Sequence, residues 1–416
     1  MQPLSAILVD MMSLSDELTW RGFVNQTTLS DIAEINQPRT LYWGVDPSAD
    51  SMTIGHLAPA MMVRHFMRHG YKAILLAGGA TGLIGDPDGK KQERELKSLD
   101  EIAANVRALE AQYQTIFAGQ EFEIVDNIDW FRDMGYLEFL REIGKHMSMT
   151  QLLDREFVKH RIGDGGDGIS YAEFSYALIQ GYDFLHLYRE KNATLQLAGA
   201  DQWGNSIAGV SLIRKLEGAE AHVLTTPLII NKQTGVKFGK SEAGAIWLDP
   251  AKTSPYQFYQ FWLNCDDETS EDLIKIYTML ERGPIEQLIA DHRRDPAGRV
   301  LQKTLAREVT DLVHGQDRRQ SVERVTDVLF GNAELASLSS NDLDELAREI
   351  PTTSADQTVV SALAASGACA SKGEARRLIS SGAISLDGAK LNSDQLLTQT
   401  TLIKKGKNTF VLARTT

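Results

Sequence analysis

Cysteine is almost missing from this chain. Cys265 and Cys369 are the only two among 416 residues, with no CxxC spacing and no Cys/His array, which excludes a disulfide framework and most structural zinc sites. Long apolar runs are missing too. No stretch of about 18 apolar residues occurs, and the first ten residues lack basic side chains and a long apolar core. The expectation is therefore a cytoplasmic protein with neither a membrane span nor a secretory signal. Positive charge is in deficit: 43 Lys and Arg against 56 Asp and Glu give a net charge of −13, which argues against indiscriminate nucleic-acid binding by the whole surface.

That deficit is uneven. Residues 357–416 hold eight basic side chains against three acidic ones, a local +5 that leaves −18 for the remainder. A small basic tail on an acidic body is an electrostatic footprint for RNA or DNA. What is present otherwise is ordinary globular composition, 43% hydrophobic and 24% charged, in a chain longer than one core usually serves; two or three units are expected.

The first 250 residues alternate between strand-like and helix-like periods, the pattern of a parallel α/β sheet. Residues 41–45, 73–77, 121–126 and 194–197 read as strands, and 55–69, 100–117, 171–187 and 202–215 as helices. Pro59 is expected near the first turn of its helix, where a missing N–H costs little. From 251 to 330 charged residues at helical spacing, with almost no strand signal, read as a helical domain. Residues 331–356, rich in Ser, Thr, Asp and Glu, read as a linker. In the tail, 357–416, a helix capped at Ser371 and a hairpin over 383–388 are expected.

Two separated stretches carry the chemistry. Tyr42-Trp43-Gly44-Val45-Asp46-Pro47-Ser48, running into Thr53-Ile54-Gly55-His56, reads as a strand, a turn and a helix start. Such a start offers N–H groups and a positive dipole end to a triphosphate. Lys237-Phe238-Gly239-Lys240-Ser241 reads as a cationic loop. Between them, residues 78–87 (Gly-Gly-Ala-Thr-Gly-Leu-Ile-Gly-Asp-Pro) form a second permissive loop, followed by Lys90, Lys91 and Arg94. Each stretch alone is equally a closed turn or a solvated charge. His65 and His69 lie four apart on a helix without a third metal ligand at suitable spacing, so packing is the better reading and no metal site is expected.

In order along the chain, these stretches, with Glu173-Phe174-Ser175-Tyr176, Gln180-Gly181-Tyr182-Asp183-Phe184, Asp201-Gln202-Trp203-Gly204-Asn205 and Thr253-Ser254-Pro255-Tyr256, resemble the bacterial tyrosyl-tRNA synthetases. The tail resembles an RNA-binding module shared with a ribosomal small-subunit protein. The tryptophanyl relatives are disfavoured by residues 201–205 and by Tyr42 paired with Asp183.

The resemblance implies a class I aminoacyl-tRNA synthetase. Its fold would be a Rossmann-like parallel-sheet catalytic domain (1–250), an α-helical tRNA-binding domain (251–330), a linker (331–356) and a small α+β RNA-binding domain (357–416). Its substrates would be tyrosine, tyrosine tRNA and ATP with Mg²⁺, in a homodimer without membrane contact. Carried over residue by residue, Ser48, Thr53, His56, Lys90, Arg94, Lys237 and Lys240 act on the phosphates. Tyr42 and Asp183 bracket the phenol, and Asp86, Tyr176, Gln180 and Gln202 complete the tyrosine site. Gly44, Asp46, Gly55, His56, Gly199, Asp201, Lys240 and Ser241 hold ATP, and Lys372, Arg376, Arg377, Lys404, Lys405 and Lys407 hold RNA.

Departures from the family pattern are Thr53, where a histidine is usual, Trp43, where cysteine often faces the ribose, and Ala198 and Ala200. They imply weaker pyrophosphate stabilisation and a reshaped pocket. Two other readings follow: a catalytically weakened, RNA-binding relative, and a ligase for another aromatic amino acid.

Overall fold

The computed structural model describes residues 12–87, 96–163, 166–230, 232, 235, 238–241, 244–407 and 409–415, with the backbone alone for Gln151, Glu156, Phe157, Lys240 and Ser241. They form two compact units. The first runs to Thr253 and resumes over Trp262–Val313; the second takes Ser254–Phe261 and the chain from His314 onward.

The first unit is built on five strands: β1 (Thr40–Val45), β2 (Lys72–Ala77), β3 (Phe122–Asp126), β4 (Ala193–Gly199) and β5 (His222–Thr226). Their order is β3-β2-β1-β4-β5 and every pair is parallel, as the alternating periods predict. The chain enters at β1, builds outward through β2 and β3, then crosses to β4 on the other side. Strand order thus reverses between β1 and β4, and a crevice opens beyond their carboxyl ends. Tyr42 marks the centre, level with Ile74 of β2 and Gln196 of β4.

Helices cover the sheet: α1 (Leu14–Arg21), α2 (Ile54–Arg68), α3 (Gly79–Ile84), α4 (Leu99–Ile116), the short α5 (Ile128–Phe131), α6 (Tyr136–Glu142), α7 (Met149–Leu153) and α8 (Glu156–Ile162), then α9 (Tyr171–Lys191) and α10 (Trp203–Glu217). The Ser170 side chain accepts from the Glu173 N–H and starts α9, and Asn192 ends it in the left-handed region at φ 53. Two sequence expectations change here. Pro59 is the sixth residue of α2, in its second turn, so its missing N–H removes the bond to the Gly55 carbonyl. Residues 79–84 are not a loop but helix α3. A side chain at Gly79 would place its Cβ 2.3 Å from Asp126 Oδ1, and one at Gly78 would sit 2.4 Å from Asp46 Oδ1. Both glycines are there for close approach.

A two-stranded ribbon, β6 (Lys240–Ser241) with β7 (Gly244–Ala245), follows, then α11 (Pro255–Leu263), α12 (Asp267–Tyr277), α13 (Arg282–Arg294), α14 (Val300–His314) and α15 (Gln316–Phe330). The helices expected as one domain over 251–330 are shared between the two units.

In the second unit, 331–356 differs from the expected linker. It carries α16 (Ser340–Glu349) and β8 (Thr352–Ser354), and β8 pairs in parallel with β12 (Thr409–Arg414). Between them in the chain come α17 (Val359–Ala365), α18 (Lys372–Ser380), β9 (Ile384–Leu386), β10 (Ala389–Lys390) and β11 (Thr401–Lys405), and the sheet order is β10-β9-β11-β12-β8. Alternation gives this sheet two apolar faces. Ile403 and Val411 pack with Val359, Leu363 and Ile379, while Leu402 and Leu412 pack with Val325, Leu329 and Leu346. The β9–β10 turn has positive φ at both Asp387 and Gly388, the geometry of a two-residue hairpin, and the Ser371 side chain caps α18; both match the expectation. Among the described residues, no helix is long and apolar enough to cross a membrane.

Candidate active site

The crevice beyond β1 and β4 has a volume of about 650 Å³, within the usual range for a small-molecule site. Its walls include Tyr42, Gly44, Asp46 and Ser48 from the end of β1, Thr53, Gly55 and His56 from the start of α2, and Asp86 after α3. Tyr176, Gln180 and Asp183 come from α9, and Gly199, Asp201 and Gln202 from the end of β4. These residues are brought together as the sequence expects. Lys90, Arg94 and Lys237 lie outside the described residues, as do the side chains of Lys240 and Ser241, whose backbone forms β6.

Tyr176, Gln180 and Asp183 lie four and three residues apart, so α9 shows them on one face. Asp183 is 2% exposed. Its Oδ1 accepts from Trp130 Nε1 at 2.9 Å and its Oδ2 from Asn127 Nδ2 at 3.1 Å. Burial drives its carboxyl well above the usual range, and those two donors oppose the rise. Tyr42 packs on Phe184 with ring centroids 5.1 Å apart. Burial raises its phenol, and the nearby Asp183 charge adds to this. The Tyr42 hydroxyl has no hydrogen-bond partner among the described residues, and neither do Gln180 Oε1, Gln196 Oε1 and Thr226 Oγ1, all buried. Buried polar atoms are normally paired, so a row of unpaired ones facing a crevice is the arrangement a polar ligand completes.

A second cluster lies across the opening. Tyr176 Oη donates to Asp46 Oδ2 at 2.8 Å, and Thr81 Oγ1 donates to Asp46 Oδ1 at 2.7 Å. With its hydroxyl hydrogen directed at Asp46, the Tyr176 oxygen keeps lone pairs for a cationic donor. Asp86 Oδ2 accepts from Gln202 Nε2 at 2.5 Å, Gln202 Oε1 from Asn205 Nδ2 at 3.1 Å, and Asn205 Oδ1 from Arg155 Nη2 at 2.6 Å. One chain of amides thus aims Asp86.

At the start of α2, His56 Nδ1 accepts from the Thr53 N–H at 3.1 Å and lies 3.1 Å from Thr53 Oγ1. An accepting Nδ1 puts the ring proton on Nε2. The Thr53 hydroxyl, expected to serve the phosphates, is therefore engaged with His56. The N–H groups of this turn are partly used as well: Ile54 donates to the Ile246 carbonyl at 3.1 Å and His56 to the Thr53 carbonyl at 2.9 Å. Trp43, expected to reshape the pocket, is 2% exposed and packs its indole on Tyr113 and Phe117, 5.6 and 6.2 Å away. Its bulk goes toward α4.

Asn127, Trp130, Thr81, Arg155 and Asn205 were missed by the sequence reading as site residues. Asn127 and Trp130 had a usable signal, since they follow β3 directly and a parallel sheet gathers its site beyond strand ends. Arg155 had none. Of the candidate RNA-binding cations, Lys372, Arg376, Arg377 and Lys407 are exposed. Lys405 Nζ donates to the Ala368 carbonyl and to Glu374, and Lys404 lies over the Phe410 ring.

Comparison with known proteins places this geometry. The profile of class I tRNA synthetases (W and Y) matches residues 34–331, and that of the SYY-like C-terminal domain of tyrosine–tRNA ligases matches 342–413. The chain is 42% identical to a tyrosine–tRNA ligase of Bacteroides fragilis, covering 96% of this chain and 99% of the relative. It is 43% identical to one of Anaeromyxobacter dehalogenans, covering 97% and 100%. Among solved structures, a C-terminally truncated mitochondrial tyrosyl-tRNA synthetase of Aspergillus nidulans superposes with a TM-score of 0.70 at 28% identity, covering 77% of this chain and 95% of that one. A tryptophanyl-tRNA synthetase of Plasmodium falciparum, at 14% identity and a TM-score of 0.54, shares the fold.

Proposed function

The chain belongs to the class I tRNA synthetases of the W and Y type, and from that membership we propose how its crevice serves the tyrosine–tRNA ligase reaction. Tyrosine and ATP give tyrosyl-adenylate and pyrophosphate, and the tyrosyl group then passes to the terminal ribose of tyrosine tRNA. In the first step a carboxylate oxygen of tyrosine bonds to the α-phosphorus. The bond from that phosphorus to the bridging oxygen breaks, and its electron pair leaves with pyrophosphate. The protein needs no nucleophile of its own; it positions the reactants and stabilises charge.

The observation that carries this reading is the pairing of a fixed, buried Asp183 with the unpaired Tyr42 hydroxyl. A phenol between them donates to Asp183 and accepts from Tyr42. Phenylalanine would leave the buried Tyr42 hydroxyl without a partner, at a cost of about 1–3 kcal/mol, and would forgo the hydrogen bond to Asp183, whose two fixed donors remain. Asp86, Tyr176 and Gln180 take the ammonium group. His56 Nε2–H, Ser48 and the glycines at 44, 55 and 199 meet ATP, with Asp201 on the ribose side. Asp46 acts by holding Tyr176 and Thr81. Lys90, Arg94, Lys237 and Lys240 are the cations for the leaving pyrophosphate. Mg²⁺ travels with ATP on phosphate oxygens; among the described residues no three His, Cys, Asp or Glu side chains are grouped to cage a metal.

The exposed cations of α18, Lys372, Arg376 and Arg377, and Lys407 beyond β11, contact tRNA phosphates. A homodimer is supported by apolar side chains exposed within residues 136–171: Tyr136, Leu137, Met149, Leu153, Ile162 and Tyr171. The place of work is the cytoplasm.

Tyrosine-dependent ATP–pyrophosphate exchange with the pure protein and Mg²⁺ tests the reading. Exchange is expected; its absence would leave an RNA-binding relative in which Thr53 has ended adenylation.

A further inference from the structure

Tyr277 closes α12 and belongs to no motif of the sequence, yet it borders the crevice and is 1% exposed. Its hydroxyl donates to the carbonyl of Ile54, the first residue of α2, at 3.2 Å. Because a peptide unit is planar and trans, fixing that carbonyl also fixes the N–H of Gly55 on the opposite side. Gly55 alone separates this peptide from His56.

The Tyr277 ring takes part in a second set of contacts. It lies 4.8 Å from Trp262 and 6.2 Å from Phe238, and Phe238 lies 5.7 Å from Trp262. Phe238 leads into Gly239, whose φ is +97 and whose added Cβ would fall 2.9 Å from Ile54 Cγ1. The Gly239 carbonyl accepts from the Ile246 N–H, and the Ile246 carbonyl accepts from the Ile54 N–H. The path from Tyr277 through Phe238, Gly239 and Ile246 therefore returns to Ile54, the residue whose carbonyl the Tyr277 hydroxyl holds.

We propose that Tyr277 is a positioning residue for adenylation, which holds the first turn of α2 in register with the backbone at Phe238 and Gly239. It touches neither reacting atom. It acts through the Gly55 N–H and through His56, whose ring orientation rests on the same turn. The proposal depends on the adenylation reading of the crevice. It adds a hydroxyl from α12 that the ring contacts alone would not require.

Tyr277→Phe is the test, because it keeps the ring and removes one donor. The Ile54 carbonyl retains its place in the helical ladder, so no buried acceptor is orphaned. The exchange kcat is expected to fall roughly 3- to 10-fold, in line with the loss of one hydrogen bond. KM for tyrosine and the melting temperature are expected to stay put. Gly239→Ala should also lower kcat. In the double variant the combined fold-loss should be smaller than the product of the two single losses, since both act on Ile54. An unchanged kcat in Tyr277→Phe, a rise in tyrosine KM that matches the loss in kcat, or a fall in melting temperature alone would overturn the proposal. No exchange by the parent chain would instead overturn the adenylation reading, and this proposal with it.

Discussion

In the proposed tyrosine site, Asp183 is the residue on which amino-acid choice turns. Two fixed donors occupy one lone pair on each of its oxygens and leave it an acceptor toward Tyr42 and the crevice. Asp183→Asn keeps the size but removes the charge, and its amide must turn N–H groups toward Asn127, Trp130 or the ligand. Hydrogen bonds to charged groups are worth about 1.5–3 kcal/mol, so kcat/KM for tyrosine in exchange should fall roughly 10- to 100-fold. The melting temperature should hold or rise, since a buried carboxylate is costly. Steady-state exchange kinetics with a thermal melt checks both. Tyr42, Asp183 and Asp86 were legible because each belongs to an ordered motif. The partners that aim them were not. Trp130 left only its place after β3 as a signal, and Arg155, whose side chain meets the site from another element, left no spacing in the sequence.

At the scale of elements, α1 is tied to the end of α2 by a buried charged group. Glu17 lies 3.0 Å from Arg21 and 3.1 Å from His65 Nδ1. Burial pushes the His65 imidazole down to about 4 from its usual 6.5, against the Glu17 hydrogen bond. Burial would raise the Glu17 carboxyl, but His65 and Arg21 outweigh it and hold it at about 2. Both groups take up protons more readily in the unfolded chain. Their stabilisation is therefore complete above pH 6.5 and is lost as pH falls, through 6.5 to 4 for His65 and from 4.5 downward for Glu17. Calorimetric melts should show a flat melting temperature above pH 7 and a steady decline below it; a melting temperature that rises between pH 6.5 and 5 would contradict this. The elements of the parallel sheet were readable because buried strands and amphipathic helices have different periods. Helix α16 was not. Ser340 and Asp344 face water, while Asp342 is buried against Ser321 and Arg324 and Leu346 is fully buried, and composition alone takes such a segment for a linker. Residues 79–84 misled for a different reason: glycines that permit close approach also suggest a loop.

For the whole molecule, charge separates tRNA binding from adenylation under the proposed function. The chain is strongly acidic outside residues 357–416, while α18 presents Lys372, Arg376 and Arg377 to solvent. Cutting at 357 would strip Leu402 and Leu412 from Val325, Leu329 and Leu346, so charge reversal is the cleaner probe. Lys372→Glu, Arg376→Glu and Arg377→Glu together should weaken tRNA binding and flatten its salt dependence by roughly two to three units of slope, with exchange unchanged. Filter binding across a salt series reads the first effect and exchange the second; equal loss of both would contradict a division of labour between the tail and the crevice.

The claim beneath all of these is that the crevice between β1 and β4 selects tyrosine by its phenol and activates it with ATP. Amino-acid-dependent ATP–pyrophosphate exchange, measured as kcat/KM for tyrosine, phenylalanine and tryptophan on the unmodified chain, tests that claim most directly. Tyrosine is expected to exceed both others by several orders of magnitude, because neither can satisfy Tyr42 and Asp183 together. Exchange supported equally well by phenylalanine or tryptophan would contradict it.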